Sequence, residues 1–346
     1  MRFANVAAAI SVFAQGGMVV VTDDDDRENE GDLIMGGCFC TPEKMAFIIH
    51  HTSGIVCAPM TRRKANMLDL HLMVETNQDS FQTAFTISVD AKAGNTTGIS
   101  AQDRSNTVVM LATSCRPEDF VRPGHVFPLL AKDGGLFERP GHTEAAVDLC
   151  RVSGVAEVAV IAELMNVDGT VMQGTQLADF AATHHLPKVS VSELIAYRLD
   201  TEQVVQRISE DQVNTRYGLA RRYRYVDSYG MDHYDVISFA SGSPKRPVPL
   251  QVCIDGLAGD AFDLDGVHDA LLKKTAASGG VIIRLDAPAI SARGDDQQTA
   301  SARCRKQQWQ RGGLIQKISQ HLGVAVQAWP TVDASTQRDS AIVGRR

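Results

Sequence analysis

The segment Thr22–Leu33, T-D-D-D-D-R-E-N-E-G-D-L, concentrates the side chains in this chain that could do chemistry. Its carboxylates surround a single arginine, Arg27, and an apolar run, Met18–Val21, leads directly into it. A polar loop at the end of a strand is where α/β proteins place catalytic groups. Carboxylates this close repel one another, so a divalent cation together with Arg27 is the simplest source of compensating charge. The pattern indicates either a metal or substrate site or a solvated acidic turn.

Two copies of the tetrapeptide R-P-G-H each present a histidine beside an arginine at a turn. The first, Arg122–His125, leads into a strand-like run, and the second, Arg139–His142, leads into a helix-like run. The free N–H groups and positive dipole end of that helix favour a phosphate, with Arg139 and the Thr143 hydroxyl as partners. A lone histidine of this kind is usually a capping or structural residue, but the repetition favours a functional role.

Composition restricts the class of protein. The 346 residues suffice for two domains, and the formal net charge of −7 argues against nucleic-acid or anionic-membrane binding. The seven cysteines have irregular spacing and indicate no disulfide framework, so a reducing cytoplasm is expected. The first residues could imitate a short signal peptide, but the spacing of Phe3, Val6, Ile10 and Phe13 favours a helix. No segment has the apolar length of a membrane span.

The hydrophobic periodicity alternates between strands and helices, which predicts an α/β layered domain with a mixed sheet, an α+β layered sandwich. Strands are expected at 18–22, 33–40, 54–60, 81–89, 126–131 and 156–164, and helices at 3–15, 41–51, 61–69, 100–113, 142–152, 175–184 and 192–208. The strand at 81–89 rests on apolar residues that alternate with polar ones. Changes in composition divide the chain into 1–209, a second domain at 210–330 and a disordered tail at 331–346.

Five segments together resemble the motifs of one enzyme family. They are D-R-E-N-E-G-D-L at 26–33, T-T-G-I-S-A-x-D-R at 96–104, R-P-G-H-V-F-P-L at 122–129, G-H-T-E-A-x-x-D-L at 141–149, and Glu163 followed by Asp168-Gly169. In this order they resemble 3,4-dihydroxy-2-butanone 4-phosphate synthase of riboflavin biosynthesis. The resemblance implies a lyase that converts D-ribulose 5-phosphate to 3,4-dihydroxy-2-butanone 4-phosphate and formate by divalent-metal-assisted acid/base catalysis.

The same resemblance implies a role for each polar residue of the motifs. Glu28 and His142 are the expected metal ligands, for magnesium or for manganese in its place. The other expected residues bind phosphate (Arg27, Arg139 and Thr143), belong to the catalytic set (His125, Glu163, Asp32, Glu30 and Cys57) or contact the substrate (Asp32, Glu163 and Thr97). Within the catalytic set, His125 and Glu163 are expected to transfer protons and Asp32 to act as a base. Cys57 could equally be a small buried strand residue. Family members complete the active site across a homodimer interface, so a homodimer is expected.

The C-terminal part faintly resembles a degenerate GTP cyclohydrolase II module. The similarity lies at Asn214–Gly218 and Pro249–Phe262, but Gly256, Val267 and Asp269 stand where the three zinc cysteines are expected. Glycine and valine offer no side-chain ligand, so a smaller α/β domain without zinc and without that activity is predicted. Two alternatives remain: a bifunctional enzyme that also opens GTP, and a non-catalytic sugar-phosphate-binding protein. The missing cysteines argue against the first, and the complete set of acids, histidines and arginines argues against the second.

Overall fold

The computed structural model describes residues 3–24, 27–228, 233–239, 250–255, 267–286, 313–315 and 317–322. The chain forms two compact units, of which the first ends at Thr201 and the second begins at Glu202. The boundary between the units therefore lies after residue 201, and not after residue 209 as predicted. The predicted tail at 331–346 lies outside the described residues. Among the described residues, no helix has both the length and the apolarity that a membrane crossing requires.

A mixed sheet of seven strands forms the centre of the first unit as far as it is described. The strands are β1 (Val19–Thr22), β2 (Gly31–Gly36), β3 (Cys57–Met60), β4 (Val89–Ala91), β5 (Phe120–Leu130), β6 (Ala159–Glu163) and β7 (Lys188–Ser190), in the spatial order β4-β5-β3-β6-β2-β1-β7. The pairs β1–β2 and β2–β6 are antiparallel, whereas β3–β5 and β1–β7 are parallel. The register places Thr22 opposite Gly31 and Asp32 opposite Glu163. The acidic loop thus connects two adjacent central strands.

Helices cover both faces of this sheet. They are α1 (Ala4–Ala14), α2 (Pro42–His51), α3 (Arg62–Met67), α4 (Ala101–Thr113), α5 (His142–Val152), α6 (Thr175–Thr183) and α7 (Val191–Thr201). Val20 of β1 packs into one core with α2, α4 and α6, while Val19 and Val21 pack into the other with α1, α5 and α7. A strand buried on both faces carries a continuous apolar run, which explains the V-V-V sequence. The predicted α/β layered class is confirmed.

Local capping signals set two of the helix starts as predicted. The Thr41 hydroxyl accepts a hydrogen bond from the Lys44 amide, with proline in the first turn of α2. Ser100 accepts one from the Asp103 amide at the start of α4. Helix α5 begins at His142, the last residue of the second R-P-G-H motif.

The predicted strand at 81–89 is wrong except for its last residue, which begins β4. Gln82 has a φ of 58°, and Phe85 and Thr86 make only isolated bridges, to Leu129 and Leu72. The alternation is nevertheless real, because the side chains at 81, 83 and 85 all face one cavity. The alternation in the sequence therefore comes from residues that line the cavity, and not from a hydrogen-bonded strand.

Two further predictions need correction. Strand β2 ends at Gly36 and not near residue 40, because Gly37–Phe39 turns into a 3-10 helix. The last predicted helix, 192–208, ends at Thr201, because the chain continues as strand β8 (Val205–Thr215) of the second unit. Buried Val204 and Val205 prolong the apolar spacing of α7 in the sequence, which explains the error.

The second unit contains a smaller five-stranded sheet within its described residues. Beside β8 it has β9 (Gly218–Asp227), β10 (His233–Ser238), β11 (Leu250–Asp255) and β12 (Val281–Asp286), in the order β11-β12-β10-β9-β8. All pairs are antiparallel except β11–β12. Leu272 of helix α8 (Val267–Ser278) packs with Ala220, Ile237 and Ile282. Gly256 lies outside the described residues, and Val267 and Asp269 lie on α8.

Candidate active site

A cavity of about 330 Å³ opens where the acidic loop meets the end of β6 and the beginning of α5. Its wall comes from β2, β3, β6, α5 and the irregular segment before β4. Nine of the predicted site residues line it: Arg27, Glu28, Glu30, Asp32, Cys57, Arg139, His142, Thr143 and Glu163. Residues up to 136 positions apart in the sequence therefore share one space in the fold.

Asp23 organises the acidic loop through hydrogen bonds to its own carboxylate. Its Oδ2 accepts from Arg27 Nη1 at 2.7 Å and from the Glu28 amide at 3.1 Å, and its Oδ1 accepts from the Glu30 amide at 2.9 Å. Arg27 Nη1 also donates to Glu28 Oε2 at 2.6 Å. Sequence reasoning did not single out Asp23. Its position directly after β1 is the signal that could have identified it.

A group of potential metal ligands lies at the cavity. Asp23, Glu28 and His142 each offer one ligand atom, and these atoms lie within 4.8 Å of one another. His142 Nδ1 is 3.6 Å from Glu28 Oε2 and 4.0 Å from Asp32 Oδ1. The buried atoms His142 Nε2 and Asp32 Oδ1 have no hydrogen-bond partner in the described structure. Such atoms are costly when buried alone, so this donor set fits a divalent cation with oxygen and imidazole ligands.

The charges around this group shift several pKa values. Burial, together with the charges of Glu163, Glu28 and Asp32, raises the pKa of Glu30 to about 7. Burial also raises the pKa of Asp32 to about 6, against the effect of His142. Burial alone would lower the pKa of His142, but the neighbouring carboxylates outweigh it and raise this pKa to about 9. The surplus of negative charge attracts a cation, which would lower all three pKa values.

Two guanidinium groups converge beside the N-terminus of α5, next to the potential metal ligands. A Cβ added at Gly141 would lie 2.4 Å from Arg139 Nη1 and 3.1 Å from Arg27 Nη2. Thr143, which is buried in the first turn of α5, also lines the cavity. Two arginines and a helix N-terminus form a site for an anion. The glycine of the R-P-G-H turn is needed for space, because any side chain would enter this site.

The wall of the cavity also carries a carboxylate and a thiol. Glu163, at the end of β6, pairs in register with Asp32 of β2. Cys57 of β3 pairs with Ile161 of the same β6 strand and is buried. Burial, with the charges of Asp32 and Glu163, raises the pKa of the Cys57 thiol, so the thiol is protonated at neutral pH. A carboxylate and a protonated thiol therefore line the same cavity as Glu28, His142 and the two arginines.

His125 and Thr97 are not part of this cavity wall in the described chain. His125 Nδ1 lies 2.7 Å from Asp90 Oδ2, and the His125 amide donates to Asp90 Oδ1 at 2.9 Å. A Cβ added at Gly98, whose φ is +94°, would lie 2.5 Å from His125 Nδ1, so the turn after Thr97 packs on this pair. The His125 side chain is 41% exposed. Sequence reasoning missed Asp90, whose signal is a carboxylate on a short strand beside the first R-P-G-H turn.

Comparison with known proteins gives the family. The model of the family described as 3,4-dihydroxy-2-butanone 4-phosphate synthase matches residues 7–197. The riboflavin biosynthesis protein RibBA of Chlamydia muridarum is 42% identical over 291 residues, which are 82% of this chain and 68% of the relative. The 3,4-dihydroxy-2-butanone 4-phosphate synthase of Helicobacter hepaticus is 42% identical over 255 residues, which are 72% of this chain and 71% of the relative.

Solved structures agree with this assignment. RibBX, a two-domain 3,4-dihydroxy-2-butanone 4-phosphate synthase from A. baumannii, is 32% identical with a TM-score of 0.78, over 96% of this chain and 95% of RibBX. A 3,4-dihydroxy-2-butanone 4-phosphate synthase crystallised with two magnesium ions is 43% identical with a TM-score of 0.55, over 57% of this chain and 97% of that protein. The chain belongs to the 3,4-dihydroxy-2-butanone 4-phosphate synthase family of enzymes.

Proposed function

We propose that this protein converts D-ribulose 5-phosphate to 3,4-dihydroxy-2-butanone 4-phosphate and formate in riboflavin biosynthesis. The observation that carries the proposal is a single cavity at which a cation-binding group and an anion site meet. Arg27, Arg139 and Thr143 bind the phosphate, and Glu28 and His142 hold magnesium or manganese near the sugar oxygens. Asp23 adds a third potential ligand, and a second carboxylate, to this group.

Other residues of the cavity wall move the protons that the reaction requires. A divalent cation bound at Glu28 and His142 supplies Lewis-acid stabilisation of charge on substrate oxygens. Asp32 and Glu163, which lie opposite each other, contact the substrate hydroxyls and exchange protons with them. Burial and the neighbouring carboxylates raise the pKa of Glu30, so this carboxyl takes up a proton more readily than an ordinary glutamate and can exchange it with the substrate. Cys57, whose raised pKa keeps its thiol protonated at neutral pH, is a hydrogen-bond donor at the wall.

The proposal includes a homodimer in the cytoplasm. One chain carries the cavity, while His125 and Thr97 lie in a separate exposed cluster, so a second copy would bring that cluster to the cavity. Exposed apolar residues accompany both parts: Ile55 lines the cavity, and Ile99 follows the Thr97 turn; each is 52% exposed. Exposed apolar side chains beside functional groups are typical of an interface.

Release of formate from ribulose 5-phosphate tests the reaction and the metal together. We expect formate with magnesium or manganese present and none after the protein is treated with a chelator, with recovery when the metal is returned. Folded protein that releases no formate with metal present would instead be a sugar-phosphate-binding protein. We do not propose a GTP cyclohydrolase II activity, because Gly256 and Val267 stand where zinc ligands are expected. If elemental analysis found one zinc ion per chain, this activity would have to be reconsidered.

A further inference from the structure

The guanidinium group of Arg139 is held by three acceptors outside the anion site. Nε donates to the Phe81 carbonyl at 3.0 Å, Nη2 to Thr83 Oγ1 at 3.1 Å, and Nη1 to Glu144 Oε2 at 2.6 Å. A guanidinium has five N–H groups, so one on each terminal nitrogen is left for a ligand. The planar geometry then fixes the direction of these two N–H groups.

Two of these acceptors belong to a loop, residues 77–83, that is closed by its own side chains. Asn77 Nδ2 donates to the Thr83 carbonyl at 2.9 Å, and the Thr83 amide donates to Asp79 Oδ2 at 2.9 Å. The Asp79 amide in turn donates to Asn77 Oδ1 at 2.9 Å. Both backbone polar groups of Thr83 are therefore bonded within the loop, which fixes the position of its hydroxyl.

The same loop also contacts the second arginine of the anion site. The Arg27 guanidinium lies over the Phe81 ring, 5.1 Å from its centroid, which is a cation–π distance. Phe81 thus contacts Arg27 through its ring and Arg139 through its carbonyl. One short segment bridges two cations that converge beside Gly141. These loop contacts add to the carboxylates that already hold each cation, which are Asp23 and Glu28 for Arg27 and Glu144 for Arg139.

We propose that the 77–83 loop positions both phosphate-binding arginines, with Thr83 and Phe81 as positioning residues, and that this selects phosphorylated sugars over free sugars. The inference rests on the function proposed above, because it takes the anion site to be the phosphate site of the substrate. A bidentate arginine–phosphate contact needs the guanidinium in one orientation. Holding that orientation before binding removes the entropy cost of ordering the side chain from the binding step.

The variant Thr83→Val in the full-length protein removes the hydroxyl acceptor at nearly constant volume. Losing one hydrogen bond to a charged group should raise both the KM for ribulose 5-phosphate and the Kd for inorganic phosphate by about five- to tenfold. We expect kcat to stay within about twofold, because the orientation of a binding group and not the chemistry is changed. Thr83→Ser should restore both constants. Ser80→Ala, which removes an exposed hydroxyl from the same loop, is the matched control.

Phosphate binding measured by calorimetry separates this inference from the proposed reaction. If the wild-type protein releases no formate but Thr83→Val and Phe81→Leu both weaken phosphate binding, the loop inference stands and the reaction fails. Unchanged phosphate affinity in both variants, or a wild-type protein that binds no phosphate, overturns the loop inference. A fall in kcat together with a lower melting temperature, with no rise in KM, would assign Thr83 a structural role and would overturn it as well.

Discussion

At the scale of single residues, Arg27 links the potential metal ligands to the anion site. Its Nη1 bonds Asp23 and Glu28 of the metal group, while its Nη2 lies beside Gly141 in the anion site. The positive charge of the guanidinium therefore offsets the repulsion among the carboxylates. Under the function proposed above, the same guanidinium would also bind the substrate phosphate and so would link the metal ligands to the phosphate site.

The first residue-scale prediction concerns metal binding by Glu28. Glu28→Gln keeps the shape of the side chain but removes one negative ligand from the group it forms with Asp23 and His142. We expect manganese affinity to fall by about 100-fold or more, in line with losses seen when metal sites lose supporting groups, and formate release to cease. Manganese binding followed by electron paramagnetic resonance checks this.

Glu43→Gln is the control for the loss of charge, since Glu43 is an exposed carboxylate in the first turn of α2. It should bind manganese as the wild type does. The thermal midpoint of both variants should stay near that of the wild type, because neither change creates a cavity in the core. Wild-type manganese affinity in Glu28→Gln would remove Glu28 from the proposed ligand set.

At the scale of elements, the sequence predicts those parts of the site whose signals are local. The acidic loop follows the apolar run of β1, and the turn Arg139–Gly141 sets the start of α5, so Glu28 and His142 could be assigned from motifs. The wall formed by residues 77–83 could not be recognised, because its acceptors act through tertiary contacts with Arg139 and its alternation imitates a strand. Asp90 was missed for the same reason: its pairing with His125 depends on the β4–β5 register.

An element-scale prediction follows from the contact between α5 and α7. Arg198 of α7 donates to Asp148 of α5, and both side chains are 2% exposed. Asp148 also accepts from the Leu136 amide at 2.9 Å and from Arg151 at 3.1 Å. Arg198→Met removes the main compensating charge of a buried carboxylate, which should lower the free energy of unfolding by about 3–5 kcal/mol.

Chemical denaturation of Arg198→Met checks this value. The double variant Arg198→Met/Asp148→Leu should regain much of the loss, because replacing a buried ion pair by apolar residues is often neutral. Arg151→Met, which removes a half-buried partner of the same carboxylate, is the matched control and should cost less. An unfolding free energy of Arg198→Met equal to that of the wild type would show that the ion pair contributes no net stability.

At the scale of the whole molecule, one chain provides two separate sets of site residues. The cavity contains the potential metal ligands, the anion site and Glu163. The partly exposed His125, its buried partner Asp90 and the exposed Thr97 lie outside the cavity wall. The two sets can act together in a symmetric dimer, where each copy completes the site of the other. A twofold axis would then place two equivalent composite sites in each dimer.

Complementation between two inactive variants tests this arrangement directly. Glu28→Gln damages the cavity set, and His125→Ala damages the surface set, so each variant alone should release almost no formate. When the two variants are co-expressed at equal levels, random pairing makes about half of the dimers mixed. Each mixed dimer has one of its two sites with both sets intact, so about a quarter of the wild-type activity should return. Native mass spectrometry shows whether mixed dimers are present. Because sites formed within a single chain would stay damaged in every mixed dimer, mixed dimers without recovered activity would mean that His125 does not act across an interface.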